Sequence, residues 1–151
     1  MELVILVGLP GSGKSTFYRE RFAATHAIVS KDLLKRAGRA ARKQEPLIAE
    51  ALAGGKDVVV DNTNPRVKDR EPLIALGRAH GARVVAYMFH STVADCRARN
   101  RLREGAARVP EVAIFTAARR MEAPTLGEGL DALFYVTLDS PSGFTVVPAG
   151  G

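Results

Sequence analysis

Gly8-Leu9-Pro10-Gly11-Ser12-Gly13-Lys14-Ser15-Thr16 runs glycine, four residues, glycine, lysine and a hydroxyl residue in succession. The apolar run Leu3-Val4-Ile5-Leu6-Val7 ahead of it reads as a buried strand, and the residues from Lys14 onward read as a helix. Glycines let the backbone turn tightly enough for successive N–H groups and a helix N-terminus to converge on negative oxygens. In such a loop Lys14 reaches the β- and γ-phosphates of a nucleotide while the Ser15 hydroxyl ligates magnesium. A glycine-rich turn that binds nothing is the alternative, and the strand before and helix after argue against it. Gly8, Pro10, Gly11, Ser12, Gly13, Lys14, Ser15 and Thr16 are therefore the expected phosphate-binding set.

The chain has 151 residues, 46% of them hydrophobic and 25% charged, which is the make-up of one domain with one core. Lys and Arg number 22 against 16 Asp and Glu, giving a net charge of +6. That balance favours a polyanionic partner, although basic surfaces also serve solubility. The single cysteine, Cys96, can form no internal disulfide and reads as a core-filling residue. The apolar opening run is too short to span a bilayer and carries Glu2 instead of a basic leader, so no membrane association and a cytoplasmic setting are expected.

Apolar runs at residues 3–7, 27–29, 58–60, 83–89 and 133–138 read as strands, with helix-length segments between them. That alternation implies an α/β fold: a five-stranded parallel sheet, right-handed crossovers, helices on both faces and a small helical lid. Helices are predicted over residues 14–22, 32–39, 44–52, 64–81 and 92–102, and from Pro110 onward. Gly54-Gly55 stops the third of these, and Asn64-Pro65 starts the fourth, in which Pro72 predicts a bend or a late start. The last helix is expected to carry Val112, Ile114, Phe115 and Ala118 toward the core. Residues 1–139 form the expected domain, followed by a tail at 140–151 with room for one edge strand.

Ligands gather at the carboxyl ends of the strands in open parallel sheets. Asp61 closes the third apolar run and is the candidate magnesium ligand beside Ser15. Asp32 follows the second run. In the strand order 2-3-1-4-5 of nucleoside monophosphate kinases it stands one strand further out, facing an acceptor as general base. Each acid has an ordinary alternative, Asp32 as a helix cap and Asp61 as a cap or turn residue. Arginines crowd one stretch, Arg97, Arg99, Arg101, Arg103 and Arg108. Arg99 and Arg103, four apart, would share a helix face that closes over a bound nucleotide and brings a guanidinium to the transferred phosphoryl. For Arg97 and Arg101 a solvated helix face is the simpler reading. A second basic group, Lys35, Arg36, Arg39, Arg42 and Lys43, follows Asp32 and suits a phosphate-bearing acceptor, with Lys35 and Arg36 as its candidate contacts. His26 and His80 are expected at the surface, and His90 has no partner pattern that marks it as catalytic.

Five segments, Gly8 to Thr16, Val29-Ser30-Lys31-Asp32, Asp61-Asn62-Thr63-Asn64-Pro65, Arg101-Leu102-Arg103-Glu104 with Val109-Pro110, and Glu122-Ala123-Pro124-Thr125-Leu126-Gly127-Glu128-Gly129, occur in the order and spacing of the polynucleotide 5′-hydroxyl-kinase domain. The chain resembles most the kinase half of the bifunctional polynucleotide kinase/phosphatases, over roughly residues 3–138. That resemblance implies a P-loop NTPase fold and transfer of the γ-phosphoryl of ATP, with Mg2+, to 5′-OH ends of DNA or RNA. It implies Lys14 and Ser15 on phosphate and magnesium, Asp32 as general base and Arg103 as a lid arginine on the donor phosphates. It also implies Asn62 to Asn64 along the nucleotide-proximal edge, with Thr63 or Asn64 bonding protein, and the loop 122–126 framing the adenine. Lys31 and Lys35 stand where relatives carry arginine, and a lysine offers a point charge instead of a bidentate fork. The Asp-x-Asp-Gly-Thr signature of a phosphatase domain is absent, so 3′-phosphatase activity is not expected of this chain. A P-loop kinase for a small hydroxyl compound (sugar, nucleoside or antibiotic) and a non-catalytic, nucleotide-switched nucleic-acid-binding module are the alternatives.

Overall fold

Leu3 to Val7 are all fully buried, and they alternate between two cores as the period of a strand dictates. Leu3, Ile5 and Val7 face one side with Ile48, Leu52, Leu73 and Ile74, while Val4 and Leu6 face the other with Phe17 and Phe22. A strand buried on both faces belongs at the centre of a sheet covered on both sides. The computed structural model describes residues 1–38, 43–139 and 143–149. Its strands are β1 (Glu2–Val7), β2 (Ala27–Val29), β3 (Val58–Asp61), β4 (Arg83–His90), β5 (Ala132–Asp139) and β6 (Gly143–Pro148). Its helices are α1 (Lys14–Arg21), α2 (Lys31–Arg36), α3 (Gln44–Ala53), α4 (Val67–Ala79), α5 (Val93–Leu102) and α6 (Glu111–Arg120), with short 3-10 turns at Gly105–Ala107 and Leu126–Glu128. No described helix is long and apolar enough to cross a membrane.

The sheet order is β2-β3-β1-β4-β5-β6. Its first five strands are parallel in the expected order, with Leu6 paired to Asp61 on one side of β1 and to Tyr87 on the other. The expectation of five strands is corrected to six, since β6 pairs antiparallel with β5, from Phe134 opposite Pro148 to Asp139 opposite Gly143. A chain that returns so soon after a strand can pair only antiparallel. Phe144 of β6 then closes the α1 face, edge-on to Phe17 at 5.1 Å. The helices α5 and α6 form a third core with Leu9, through Cys96, Ile114 and Ala117.

Three local expectations need correction. The helix expected from Asn64 starts at Val67, with Arg66 as its cap residue, because the Asn64 side chain is committed to the Leu6 carbonyl. Val112 and Phe115 are exposed, 65% and 40%: only Ile114 and Ala117 of α6 are buried, and Phe115 lies under the Arg97 guanidinium at 5.3 Å. His26 is packed, edge-on to Phe22 and 3.0 Å from Glu2. Arg39 and Arg42 fall outside the described residues.

Gly77 is where α4 approaches the sheet, since a β-carbon there would lie 2.6 Å from Val84 Cγ2 and 3.1 Å from Leu3 Cδ2. Gly77→Ala is therefore expected to lower stability by about 1–3 kcal/mol in denaturant unfolding, against the helix propensity that favours alanine.

Candidate active site

At the carboxyl end of β1 the backbone turns through two left-handed glycines, Gly11 at φ +83° and Gly13 at φ +100°, and enters α1. A β-carbon at Gly11 would lie 2.6 Å from the Cys96 carbonyl oxygen, so α5 seats directly on the loop and only glycine fits there. The first turn of α1 presents N–H groups that have no carbonyl one turn earlier, the usual means of holding an anion. Lys14 is buried within its own loop: its ammonium donates to the Gly8 carbonyl at 2.9 Å and the Leu9 carbonyl at 2.8 Å. Burial lowers its pKa from 10.5 to about 8, with the Asp61 charge opposing the fall and the Arg103 charge adding to it.

Asp61 stands beside the loop because β3 neighbours β1, and it accepts a 2.8 Å hydrogen bond from the Ser15 hydroxyl. That pairing replaces the cap or turn role open to it in the sequence. The two side chains form an oxygen pair suited to a hard divalent cation, which takes its other ligands from phosphate and water. Asp32 lies one strand further out, in the first turn of α2. The cap of that helix is Ser30, whose Oγ accepts from the Leu33 N–H at 3.3 Å, so Asp32 is not spent on capping.

One cavity of about 740 Å³ collects Pro10, Gly11, Lys14, Ser15, Asp32 and Asp61, with Arg36 and Arg103 on its wall. Lys35 lies outside it, on an adjoining depression of about 410 Å³ that shares Asp32. Arg103 donates to the Ala107 carbonyl at 3.3 Å. Arg99 does not line the cavity: it donates to the Gly11 carbonyl at 3.0 Å and braces the loop from behind. Thr16 is exposed and accepts from Arg19 at 3.1 Å. Gly8 donates its N–H to the Thr63 carbonyl at 3.1 Å.

The loop after β3 is built into the site by Asn64, which the resemblance already set against protein, and by Arg70, which no motif announced. Asn64, the one non-glycine residue at positive φ among those described, donates from Nδ2 to the Leu6 carbonyl at 2.8 Å. Arg70 is fully buried and donates to the Asn64 carbonyl at 2.9 Å, the Glu122 carbonyl at 3.0 Å and both Glu128 oxygens at 2.8 and 3.1 Å. The loop at 122–126 accordingly packs beneath Pro65 and α4, and none of its residues lines the main cavity. The signal for Arg70 was present: it occupies the same helical stripe as Leu73, Ile74 and Gly77, where an arginine is out of place unless paired. Lys68 and Arg19 also reach the cavity wall without any motif to announce them.

A phosphate loop between a central strand and a helix, with an acid at the end of the adjacent strand, defines a P-loop nucleotide-binding domain. The sequence profile described as "AAA domain" matches residues 3–124, and the chain belongs to that family. The bifunctional polynucleotide phosphatase/kinase of Schizosaccharomyces pombe is 30% identical over 132 residues, which is 85% of this chain and 31% of that protein. The fold is shared with a fungal RNA kinase, at a TM-score of 0.69 and 14% identity over 93% of this chain and 40% of that one. It is shared as well with a sugar kinase from Janibacter sp., at a TM-score of 0.65 and 14% identity over 91% and 85% of the two chains.

Between pH 8 and 10.5 the unfolded chain still holds the Lys14 proton that the folded chain has released, so burial of this lysine makes stability rise with pH across that window. The rise is on the order of 3 kcal/mol. Denaturant unfolding of the unaltered chain and of Lys14→Met across the window is expected to differ by that increment, the variant lacking it.

Proposed function

We propose that the chain is a phosphotransferase that moves the γ-phosphoryl group of ATP to 5′-hydroxyl ends of DNA or RNA. The observation that carries this reading is the placement of Asp32 on the same cavity as Lys14, with Ser15, Asp61 and Arg103 on the shared wall. Similarity to a polynucleotide phosphatase/kinase supports the choice of acceptor. A 5′-hydroxyl is too weak an acid to attack as an alkoxide near neutral pH. The exposed Asp32 carboxylate accepts its proton as the new oxygen–phosphorus bond forms and ADP departs. Lys14 and Arg103 offset the charge that spreads over the phosphoryl oxygens in transit. Ser15 and Asp61 would hold Mg2+, which neutralises charge on the donor phosphates when bound. Arg36 on the cavity and Lys35 on the adjoining depression give an acceptor's phosphates cationic contacts.

Because the fold also serves a sugar kinase, the acceptor is tested directly. ATP labelled at the γ-phosphate is supplied with 5′-OH DNA, 5′-OH RNA, mononucleotides or small sugars and nucleosides. Label is expected on the oligonucleotides, and label on small alcohols alone would refute the reading. Lys14→Ala is expected to abolish transfer. Asp32→Asn is expected to keep ATP affinity within about threefold and to lower kcat by roughly 100-fold or more. Oligonucleotide affinity is expected to fall as salt rises from about 50 to 200 mM, since each neutralised phosphate releases counterions. A flat salt response would point to an uncharged acceptor.

A further inference from the structure

The helix that carries the proposed base is 6 residues long and buries none of them, so apolar packing does not fix where Asp32 stands. Its cap, Ser30, belongs to the same segment and ties α2 only to itself. Among the described residues, one side chain from another element bonds the backbone of α2: Asn62 Oδ1 accepts the Lys31 N–H at 2.9 Å. The other end of that amide donates from Nδ2 to Gln44 Oε1 at 2.7 Å. Gln44 is the first residue of α3 and is 7% exposed, so its oxygen is held in place by burial. Asn62 directly follows Asp61. A single planar amide thus joins the strand end bearing Asp61, the helix start bearing Asp32 and the start of α3.

Only a side chain that accepts at one end and donates at the other satisfies both neighbours. The backbone N–H of Lys31, which can only donate, decides which way Asn62 faces, and the Nδ2 so directed is met by the Gln44 oxygen. We propose that Asn62, braced by Gln44, is a positioning residue that sets the distance between Asp32 and the phosphate loop; the inference rests on the reading of Asp32 as general base. A base must come within about 2.6–3.2 Å of the oxygen it deprotonates. A displacement of about 1 Å is enough to cost roughly 100-fold in rate. Asn62 lines the cavity, but both ends of its amide are taken by protein.

Asn62→Ala, Gln44→Leu and the double variant are compared with the unaltered chain in two measurements. In steady-state transfer to a 5′-OH oligonucleotide, Asn62→Ala is expected to lower kcat roughly 10- to 100-fold while KM for ATP stays within about twofold. Gln44→Leu is expected to lose less, and the double variant no more than Asn62→Ala, because both act through one bond. Hydrogen exchange at the Lys31 amide is expected to quicken roughly tenfold in Asn62→Ala, with exchange in α1 unchanged. Unchanged kcat would overturn the proposal. So would a loss of kcat accompanied by a matching rise in KM for ATP and faster exchange in α1, which marks general loosening. If the unaltered chain transfers phosphate to no 5′-OH end, the reading of function has failed. Exchange then decides the tether alone: quicker exchange at Lys31 supports it, and unchanged exchange refutes it.

Discussion

Arg70 carries a charge with no access to water, and the carboxyl-edge architecture of the sheet depends on how that charge is met. Its guanidinium is shared among the Asn64 and Glu122 carbonyls and the Glu128 carboxylate, so each of its three nitrogens has a partner. A buried cation stripped of such partners costs about 3–5 kcal/mol, so the four contacts stand or fall together. Through Asn64 the clamp reaches the Leu6 carbonyl and fixes the loop after β3 against the end of β1. The phosphate loop is then held from one side by Thr63, which accepts the Gly8 N–H, and from the other by Arg99 on the Gly11 carbonyl. A segment far along the chain, 122–128, sets the geometry of a loop near its start although it lines none of the main cavity.

Within that frame the site holds its charges in unequal states. Lys14 is buried and bonded to two carbonyls of its own loop, and burial brings its pKa down to about 8. A lysine held this way is destabilising until anionic oxygens arrive, which is the usual trade of stability for function at a site. Asp61 is engaged by Ser15, whereas Asp32 stands exposed on a helix without buried residues. The tight half of the site is the half that would grip phosphate, and the loose half is the one that would face an acceptor. An amide tether from Asn62 matters because it crosses from the tight half to the loose one.

Helix α5 follows the same logic of close backbone approach. With Gly11 against Cys96, α5 is seated on the phosphate loop, and Arg103 at its end reaches the cavity wall while Arg99 turns back to the loop. Two arginines four residues apart thus take different partners. The shared helix face expected of them is not formed, because α5 ends at Leu102 and Arg103 is extended, so only Arg99 points from the helix to the loop backbone.

Much of this was legible from local signals. The alternation of apolar residues in β1, the glycine-lysine-serine run and the acids that follow β2 and β3 depend on short-range periodicity and steric rules that a sequence displays directly, whereas the strand order came from likeness to nucleoside monophosphate kinases. Tertiary structure alone decided the partners of polar groups, because a hydrogen bond between residues distant in the chain leaves no periodic trace. The direction of β6, the use of Asn64 as a bracket for Leu6 instead of a helix cap, and the burial of Arg70 on Glu128 belong to that class, and the outward turn of Val112 and Phe115 follows from how α6 packs. Local patterning decides which residues stand at the rim of the sheet; packing across the rim determines which of them face the cavity and which are consumed in holding it open.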